Sequence, residues 1–159
     1  MTAELMTKVA EAAIGMCDVV LGRRPSPGAL EARARLVTEQ QINAMGHVTG
    51  TLEGVLLYSM SVATADKIAS QLLGYPVVTF DHRAAAAIGD FSSKLSGSIA
   101  GSLLLEGLPV EVSGTEIIRG SSVPVVTPGP ALVVPLNIPE LGSIFISIAL
   151  RRLSHAAAA

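Results

Sequence analysis

The longest regular pattern of hydrophobic and polar positions in the chain runs from Asp81 to Glu106. Mostly apolar residues recur there at steps of three and four, which is the spacing of one buried helix face. This face consists of Ile88, Phe91, Leu95, Ile99, Ser102 and Leu103. The pattern predicts one long helix that is capped by Asp81 and ended by Gly107 and Pro109.

A second line of small and polar residues lies opposite the apolar face of this helix. We call it the small-residue stripe, and it consists of Ala86, Asp90, Ser93, Gly97 and Gly101. Asp90 and Ser93 are three residues apart and are therefore neighbours on the helix surface. Glycine costs about 0.5–1 kcal/mol relative to alanine inside a helix, so such a bare face needs a reason. Two reasons are open: another element of this chain packs closely there, or another protein docks there.

The rest of the pattern predicts two shorter helices and several strands. Helical spacing covers 2–21 and 63–73, and each stretch is followed by a glycine, Gly22 or Gly74. Strands are predicted at 42–51, 52–61, 109–112, 115–118, 131–138 and 143–150, whereas 30–41 indicates a strand only weakly. Segments 23–28 and 120–130 contain proline and glycine and are predicted loops. Hairpin-like spacing of the strands and segregated helices together predict an α+β fold with antiparallel pairing.

Two strands carry a more specific prediction. The strand at 52–61 is apolar on both faces from Val55 onward, which is typical of the centre of a sheet. Pro135 has no backbone N–H to donate, so it places its strand at an edge or at a bulge.

The length of the chain, 159 residues, suits one domain. We predict that this domain covers residues 1–153 and that 154–159, an alanine-rich tail, is frayed. No run of about 18 apolar residues is present, so no membrane span is predicted. The N-terminus has no basic region ahead of an apolar one, which argues against a secretory signal and favours a cytoplasmic protein.

The charged and reactive residues exclude several kinds of function. The net charge is −2 and aromatic residues make up 3%, so no basic, aromatic surface for nucleic acid is expected. Cys17 stands in an apolar helical stretch and is interpreted as an inert core residue. The three histidines, His47, His82 and His155, lie far apart in the sequence and lack the spacing of metal ligands. Only Asp90 and Ser93 form a pattern that indicates a site, and no metal site is predicted.

The run AIGDFSSKLSGSIAGSL resembles the signature helix of the CheX/CheC family of chemotaxis phosphatases, whose form is close to A-(I/L)-G-E-x-x-N-x-(I/L)-x-G-N. The matching residues are Ala87, Ile88, Gly89, Leu95 and Gly97. GTLEGVLLYSMSVATADKIASQLLG resembles the strand and helix that precede this signature, and ALVVPLNIPELGSIFISIAL resembles the closing hairpin of the family. The resemblance covers about 46–152 and implies a two-layer CheC-like fold, a largely antiparallel sheet with long helices packed on one face.

The resemblance also implies a function. Members of the family hydrolyse the aspartyl phosphate of CheY-type response regulators. Their Glu pairs with a lysine of the regulator, their Asn orients a water, and the regulator supplies the Mg²⁺. Carried onto this chain, the resemblance makes Asp90 and Ser93 the catalytic residues, with no cofactor of the chain's own. The residues expected to contact the phosphorylated receiver domain are Ala86, Gly89, Lys94 and Gly97. The family likeness further implies a homodimer joined through sheet edges, and the apolar closing strand at 143–150 is compatible with that role.

This chain departs from the family pattern at its most important positions. Asp90 stands where the family has Glu and Ser93 where it has Asn, while 113–115 lacks the proline usual in that strand. Aspartate is one methylene shorter than glutamate, and a serine hydroxyl lacks the fixed donor and acceptor of an amide. The leading hypothesis is a CheX-like protein that docks on a phosphorylated response regulator and hydrolyses its phosphate. The alternatives are a receiver-binding module without catalytic activity and an unrelated structural α+β domain.

Overall fold

The computed structural model describes residues 2–153, so the predicted tail at 154–159 lies outside the described residues. This part of the chain forms three helices and nine strands. In chain order they are α1 (Ala3–Leu21), β1 (Ser26–Pro27), β2 (Glu31–Arg33), β3 (Leu36–Val37), β4 (Ile42–Gly50), β5 (Leu52–Met60), α2 (Val62–Leu73), α3 (His82–Leu105), β6 (Val110–Arg119), β7 (Pro124–Val125), β8 (Ala131–Ile138) and β9 (Gly142–Arg152).

Each helix begins at a side chain that accepts hydrogen bonds from the first turn, and these caps are Thr2, Ser61 and Asp81. The Asp81 carboxylate accepts from the backbone N–H groups of Ala84 and Arg83. Because these bonds favour the charged form, they lower the pKa of Asp81, the bond from Ala84 being the larger cause.

The helices end close to the glycines that were predicted to end them. α1 and α2 end before Gly22 and Gly74, which take positive φ angles of 66° and 77°. α3 ends at Leu105, one residue earlier than predicted, and is followed by Gly107 with φ 76°.

Seven of the strands form one antiparallel sheet in the order β1-β8-β9-β5-β4-β6, with β2 also paired to β8. β5 lies between β9 and β4, which confirms the central position predicted from its two apolar faces. The closing strand, β9, is also paired on both sides, by β8 and β5, so it is not free to join two subunits. Its apolar residues reflect a central position in the sheet, whose edges are β6 on one side and the short strands β1 and β2 on the other.

The three helices pack on one face of this sheet, which confirms the predicted two-layer α+β architecture. The opposite face is partly covered by a small second sheet, in which β3 pairs with β7. Its small core joins Leu36 to Leu57, Ala131 and Ala149 of the main sheet. The sequence pattern did not predict this second sheet, because strands of two residues carry no periodicity.

Three stretches were predicted wrongly at the level of elements. The loops predicted at 23–28 and 120–130 each contain a short strand, β1, which pairs with β8, and β7, which pairs with β3. The two strands predicted at 109–112 and 115–118 are one continuous strand, β6.

Pro135 stands where β8 changes neighbours. Along this side of β8, β1 pairs with Asn137 and Leu136 and β2 with residues 131–133, so Pro135 falls between the two short strands. Its carbonyl accepts a hydrogen bond of 2.8 Å from the backbone N–H of Gly28. The position therefore requires no N–H from residue 135. The predicted place at an edge or a bulge is wrong as stated, because β8 is paired on both sides and Pro135 falls in a gap between two short partners.

Cys17 is fully buried within the helical layer, as its interpretation as a core residue required. Burial raises the pKa of its thiol to about 12, so the reactive thiolate is scarce at neutral pH. Within residues 2–153, each helix is too short or too polar to cross a membrane.

Candidate functional site

The orientation of α3 is set by its buried face. Ile88, Leu95 and Ile99 are fully buried, and Phe91 and Leu103 are nearly so. Ser102, predicted as part of this face, is half-buried, and its Oγ donates to the backbone oxygen of Lys8 at 3.4 Å. With this face against the sheet and α1, the opposite side of the helix faces outward.

All five residues of the small-residue stripe are exposed. A Cβ atom added at Gly97 or Gly101 would meet nothing within 4 Å, and one at Gly89 would meet only Thr115 Cγ2 at 3.8 Å, an ordinary contact. Of the two reasons open for the bare stripe, close packing by another element of this chain is therefore wrong. The stripe is open to a partner over the length of α3.

Asp90 is the carboxylate of this face, and its side chain is 72% exposed. Its Oδ2 lies 3.3 Å from the Lys94 ammonium, one turn along the helix. Exposed ion pairs of this kind contribute little, about 0.3–0.5 kcal/mol. The carboxylate is therefore available to a cation that arrives from another molecule.

Ser93 lies one turn from Asp90, and its hydroxyl has a partner. Ser93 Oγ and Thr115 Oγ1 are 2.8 Å apart, and either hydroxyl can be the donor. Thr115 is an exposed residue of β6, so this bond joins the stripe to the neighbouring edge strand.

A β-bulge in β6 places Thr115 at this position. Ser113 pairs with His47 and Glu116 with Met45, so Gly114 and Thr115 together stand opposite one residue of β4. Gly114 has φ 65°, the left-handed conformation that glycine supplies in such bulges.

The bulge also changes which face of the sheet each later residue meets. Val112 and Ile117 both pack against the helical layer although they are five positions apart. In an unbroken strand, residues an odd number of positions apart point to opposite faces. The one extra residue therefore turns Thr115 toward α3 and Ser93.

Reasoning from the sequence did not bring Thr115 to this face, since 113–115 was noted only for lacking a proline. The available signal was an isolated glycine inside a strand pattern, which is typical of a bulge.

Leu104 also continues the exposed face of α3. It lies one turn beyond Gly101, is 59% exposed, and borders an apolar groove with Ala100, Pro109 and Val110. The exposed face therefore ends in an apolar region.

The described residues contain no group of three or more His, Cys, Asp or Glu side chains placed to hold a metal ion. His47 and His82 are both exposed, and His155 lies outside the described residues. The expectation that Mg²⁺ comes with the partner thus stays a prediction for this chain.

Comparison with known proteins gives related sequences and structures, although no family model matches the chain. The CheY-P phosphatase CheX of Thermotoga maritima is 27% identical over 120 residues, which cover 75% of this chain and 77% of the relative. The crystal structure of CheX from Desulfovibrio desulfuricans superposes with a TM-score of 0.83 at 19% identity, covering 93% of this chain and 99% of that one. CheX of Borrelia burgdorferi, solved as a CheX-CheY-BeF3-Mg²⁺ complex, gives 0.73 at 20% identity, covering 92% and 97%.

The antiparallel sheet with three helices on one face is the CheC-like fold, as the sequence predicted. The resemblance to the CheX/CheC family, first noted in the α3 signature, is confirmed by the sequence match and by these structures. The chain is therefore similar to CheX proteins in sequence and in fold.

Proposed function

We propose that this chain docks the exposed face of α3 on a phosphorylated response-regulator receiver domain and hydrolyses its aspartyl phosphate. The observation that carries the proposal is a carboxylate and a hydroxyl, one turn apart, on an open helix face of a CheX-like fold. Two relatives support it. CheX of Thermotoga maritima is named a CheY-P phosphatase, and CheX of Borrelia burgdorferi is solved together with CheY.

In the proposed mechanism the chain positions groups and contributes no covalent step. The Asp90 carboxylate pairs with the active-site lysine of the receiver and sets the docking register. The Ser93 hydroxyl orients a water for in-line attack on phosphorus, and the bond between phosphorus and the aspartyl oxygen breaks to release inorganic phosphate. Mg²⁺, brought by the receiver, offsets the charge of the phosphoryl oxygens. Positioning of this kind accounts for most of the catalysis in phosphoryl transfer.

The openness of the stripe compensates for the short side chain of Asp90. Aspartate reaches one methylene less far than glutamate, so the partner must come closer to α3. Gly89 and Gly97 leave that space free, and Ala86 adds only a methyl group. Lys94 is expected to release Asp90 when the lysine of the receiver arrives, since the pair between them is weak.

A second candidate function is a receiver-binding module without hydrolysis. It is favoured by one observation: the Ser93 hydroxyl is already hydrogen-bonded to Thr115, so it has fewer hydrogen-bonding groups left for a water than a free amide has. In this case the α3 face still binds the phosphorylated receiver, and the phosphate decays at its own rate.

The experiment that separates these functions mixes the purified chain with a phosphorylated receiver domain and Mg²⁺ and follows phosphate release. We expect accelerated release, its loss in Asp90→Ala and an increase in Ser93→Asn. Asp18→Ala, an exposed acid of α1, is the matched control and should leave the rate unchanged. Tight binding without acceleration favours the module, whereas neither binding nor acceleration across several receivers contradicts docking altogether.

We also predict that the chain forms a homodimer and that it is located in the cytoplasm. Since β9 is central in the sheet, a dimer joined through sheet edges would have to use β6 or the side of β8 that carries the short strands β1 and β2. Light scattering of the purified chain measures the oligomeric state, and a monomer at working concentrations would contradict the dimer.

A further inference from the structure

We propose that Thr115 is a positioning residue of this site, and that the hydroxyls of Ser93 and Thr115 together replace a single carboxamide. The inference rests on the proposed function, since it assigns a partner to the residue that orients the water. The observation that supports it is the 2.8 Å contact between Ser93 Oγ and Thr115 Oγ1 on an exposed face.

The chemistry of the hydroxyl explains why a partner is needed. An amide side chain holds an acceptor and a donor in one fixed plane, whereas a lone serine hydroxyl rotates and carries one proton. When one hydroxyl of the pair donates to the other, the donating oxygen keeps lone pairs that accept, and the accepting hydroxyl keeps a proton that donates. Whichever way the bond between Ser93 and Thr115 points, the pair therefore presents one free donor and at least one free acceptor to a water.

The backbone around Thr115 fixes this arrangement. The bulge at Gly114 turns Thr115 toward α3, and its Cγ2 methyl lies beside Gly89, 3.8 Å from where a Cβ there would stand. A β-branched side chain has few χ1 rotamers, so this placement also restricts the direction of its hydroxyl. The water-orienting oxygen of Ser93 is thus held by a second element of the fold instead of rotating freely.

The test compares the wild-type chain with Thr115→Val, which keeps the shape and removes the hydroxyl, and with Thr115→Ser, which restores it. Turnover of the phosphorylated receiver gives kcat, and titration with a BeF3-loaded receiver gives Kd. We expect Thr115→Val to lower kcat about two- to tenfold, the range for one neutral hydrogen bond, with Kd changed less than about twofold. Thr115→Ser should recover most of the rate. Thr7→Val, which also removes an exposed hydroxyl that makes one hydrogen bond, to the backbone oxygen of Ala3 on α1, is the matched control.

The second arm repeats Thr115→Val in a Ser93→Asn background. An asparagine carries its own donor and acceptor, so the loss of the Thr115 hydroxyl should leave its rate unchanged. An equal loss in both backgrounds would mean that the Thr115 hydroxyl acts independently of Ser93, and would overturn the inference. An unchanged kcat in the Ser93 background would also overturn it, while the proposed function would stand. A wild-type chain that does not accelerate release would overturn both.

Discussion

At the scale of single residues, Gly97 is unfavourable for the stability of α3 but leaves space for a docking protein. It stands in the middle of α3, is exposed, and has open space where a Cβ would lie. For the helix alone, alanine would be the better residue, because glycine loses more backbone entropy on folding. The bare position therefore fits the proposed docking of a receiver domain, which would need the backbone of α3 to be approached closely.

We expect Gly97→Ala to make the protein more stable and the docking weaker. We expect the free energy of unfolding to rise by about 0.5–1 kcal/mol in urea titrations, and the Kd for a BeF3-loaded receiver to increase. Gly15→Ala is the matched control, since Gly15 also lies in a helix with nothing within 4 Å of its Cβ position, but on α1. It should give the same gain in stability with unchanged Kd. Unchanged docking in Gly97→Ala would contradict a close approach at this residue.

Some residues of the candidate site could be predicted from nearby sequence, whereas another depends on contacts between distant parts of the chain. Asp90 and Ser93 could be predicted from the sequence because helical spacing alone puts them on one face. Thr115 could not, because its contact with Ser93 depends on how β6 pairs with β4 and on where α3 lies over that pair.

At the scale of elements, the ends of the helices depend on neighbouring residues, whereas the register of the strands depends on distant ones. Helix ends depend on capping residues next to the helix itself, so the bounds of α1, α2 and α3 were predicted within one residue. The register of β6 depends on a partner strand 60 or more positions away in the chain, and the sequence showed only a break near Gly114. The pattern therefore predicted two strands where pairing makes one bulged strand.

The bulge gives a prediction about Gly114, whose φ of 65° is strained for any residue with a Cβ. Gly114→Ala should lower the free energy of unfolding by about 1 kcal/mol, although a Cβ there meets nothing within 4 Å. Gly114→Asn should cost less, because asparagine tolerates the left-handed region. The control is Gly129→Ala, also open but without a positive φ, and it should be close to neutral. Equal effects of alanine at both glycines in denaturant titrations would argue against a left-handed residue in the bulge.

The cap of α3 gives a prediction about pH. The pKa of Asp81 is lower in the folded chain, so the stability that its charge contributes is fully present above the unfolded pKa of about 3.9. That contribution is lost as the pH falls through the folded value. The difference in Tm between the wild-type chain and Asp81→Ala should therefore be constant from about pH 7 to 5 and shrink below about pH 4. Asp81→Ser caps the helix without titrating, so its advantage over Asp81→Ala should not vary with pH. A wild-type advantage that persists unchanged at pH 3 would show that the charge of Asp81 is unimportant.

At the scale of the whole molecule, the exposed face of α3 is held in place by what lies beneath it. The helical layer and the sheet meet along an almost wholly apolar core. One polar contact crosses this core from β5 to α3, the 2.8 Å hydrogen bond between the Tyr58 and Ser96 hydroxyls. Burial raises the pKa of Tyr58, with the bond from Ser96 opposing that effect, so the phenol stays neutral at physiological pH.

This buried pair predicts a coupled response to losing its two partners. Ser96→Ala and Tyr58→Phe each leave one buried hydroxyl without its partner, and each should cost about 1–3 kcal/mol. The double variant should be more stable than the two single losses added together, because no unpaired hydroxyl remains. Tyr75→Phe controls for the same change at an exposed position and should be neutral. Strict additivity in urea titrations would mean that the two hydroxyls do not interact. A coupling of about 1 kcal/mol would show that this bond helps fix α3, and with it Asp90 and Ser93, over the sheet.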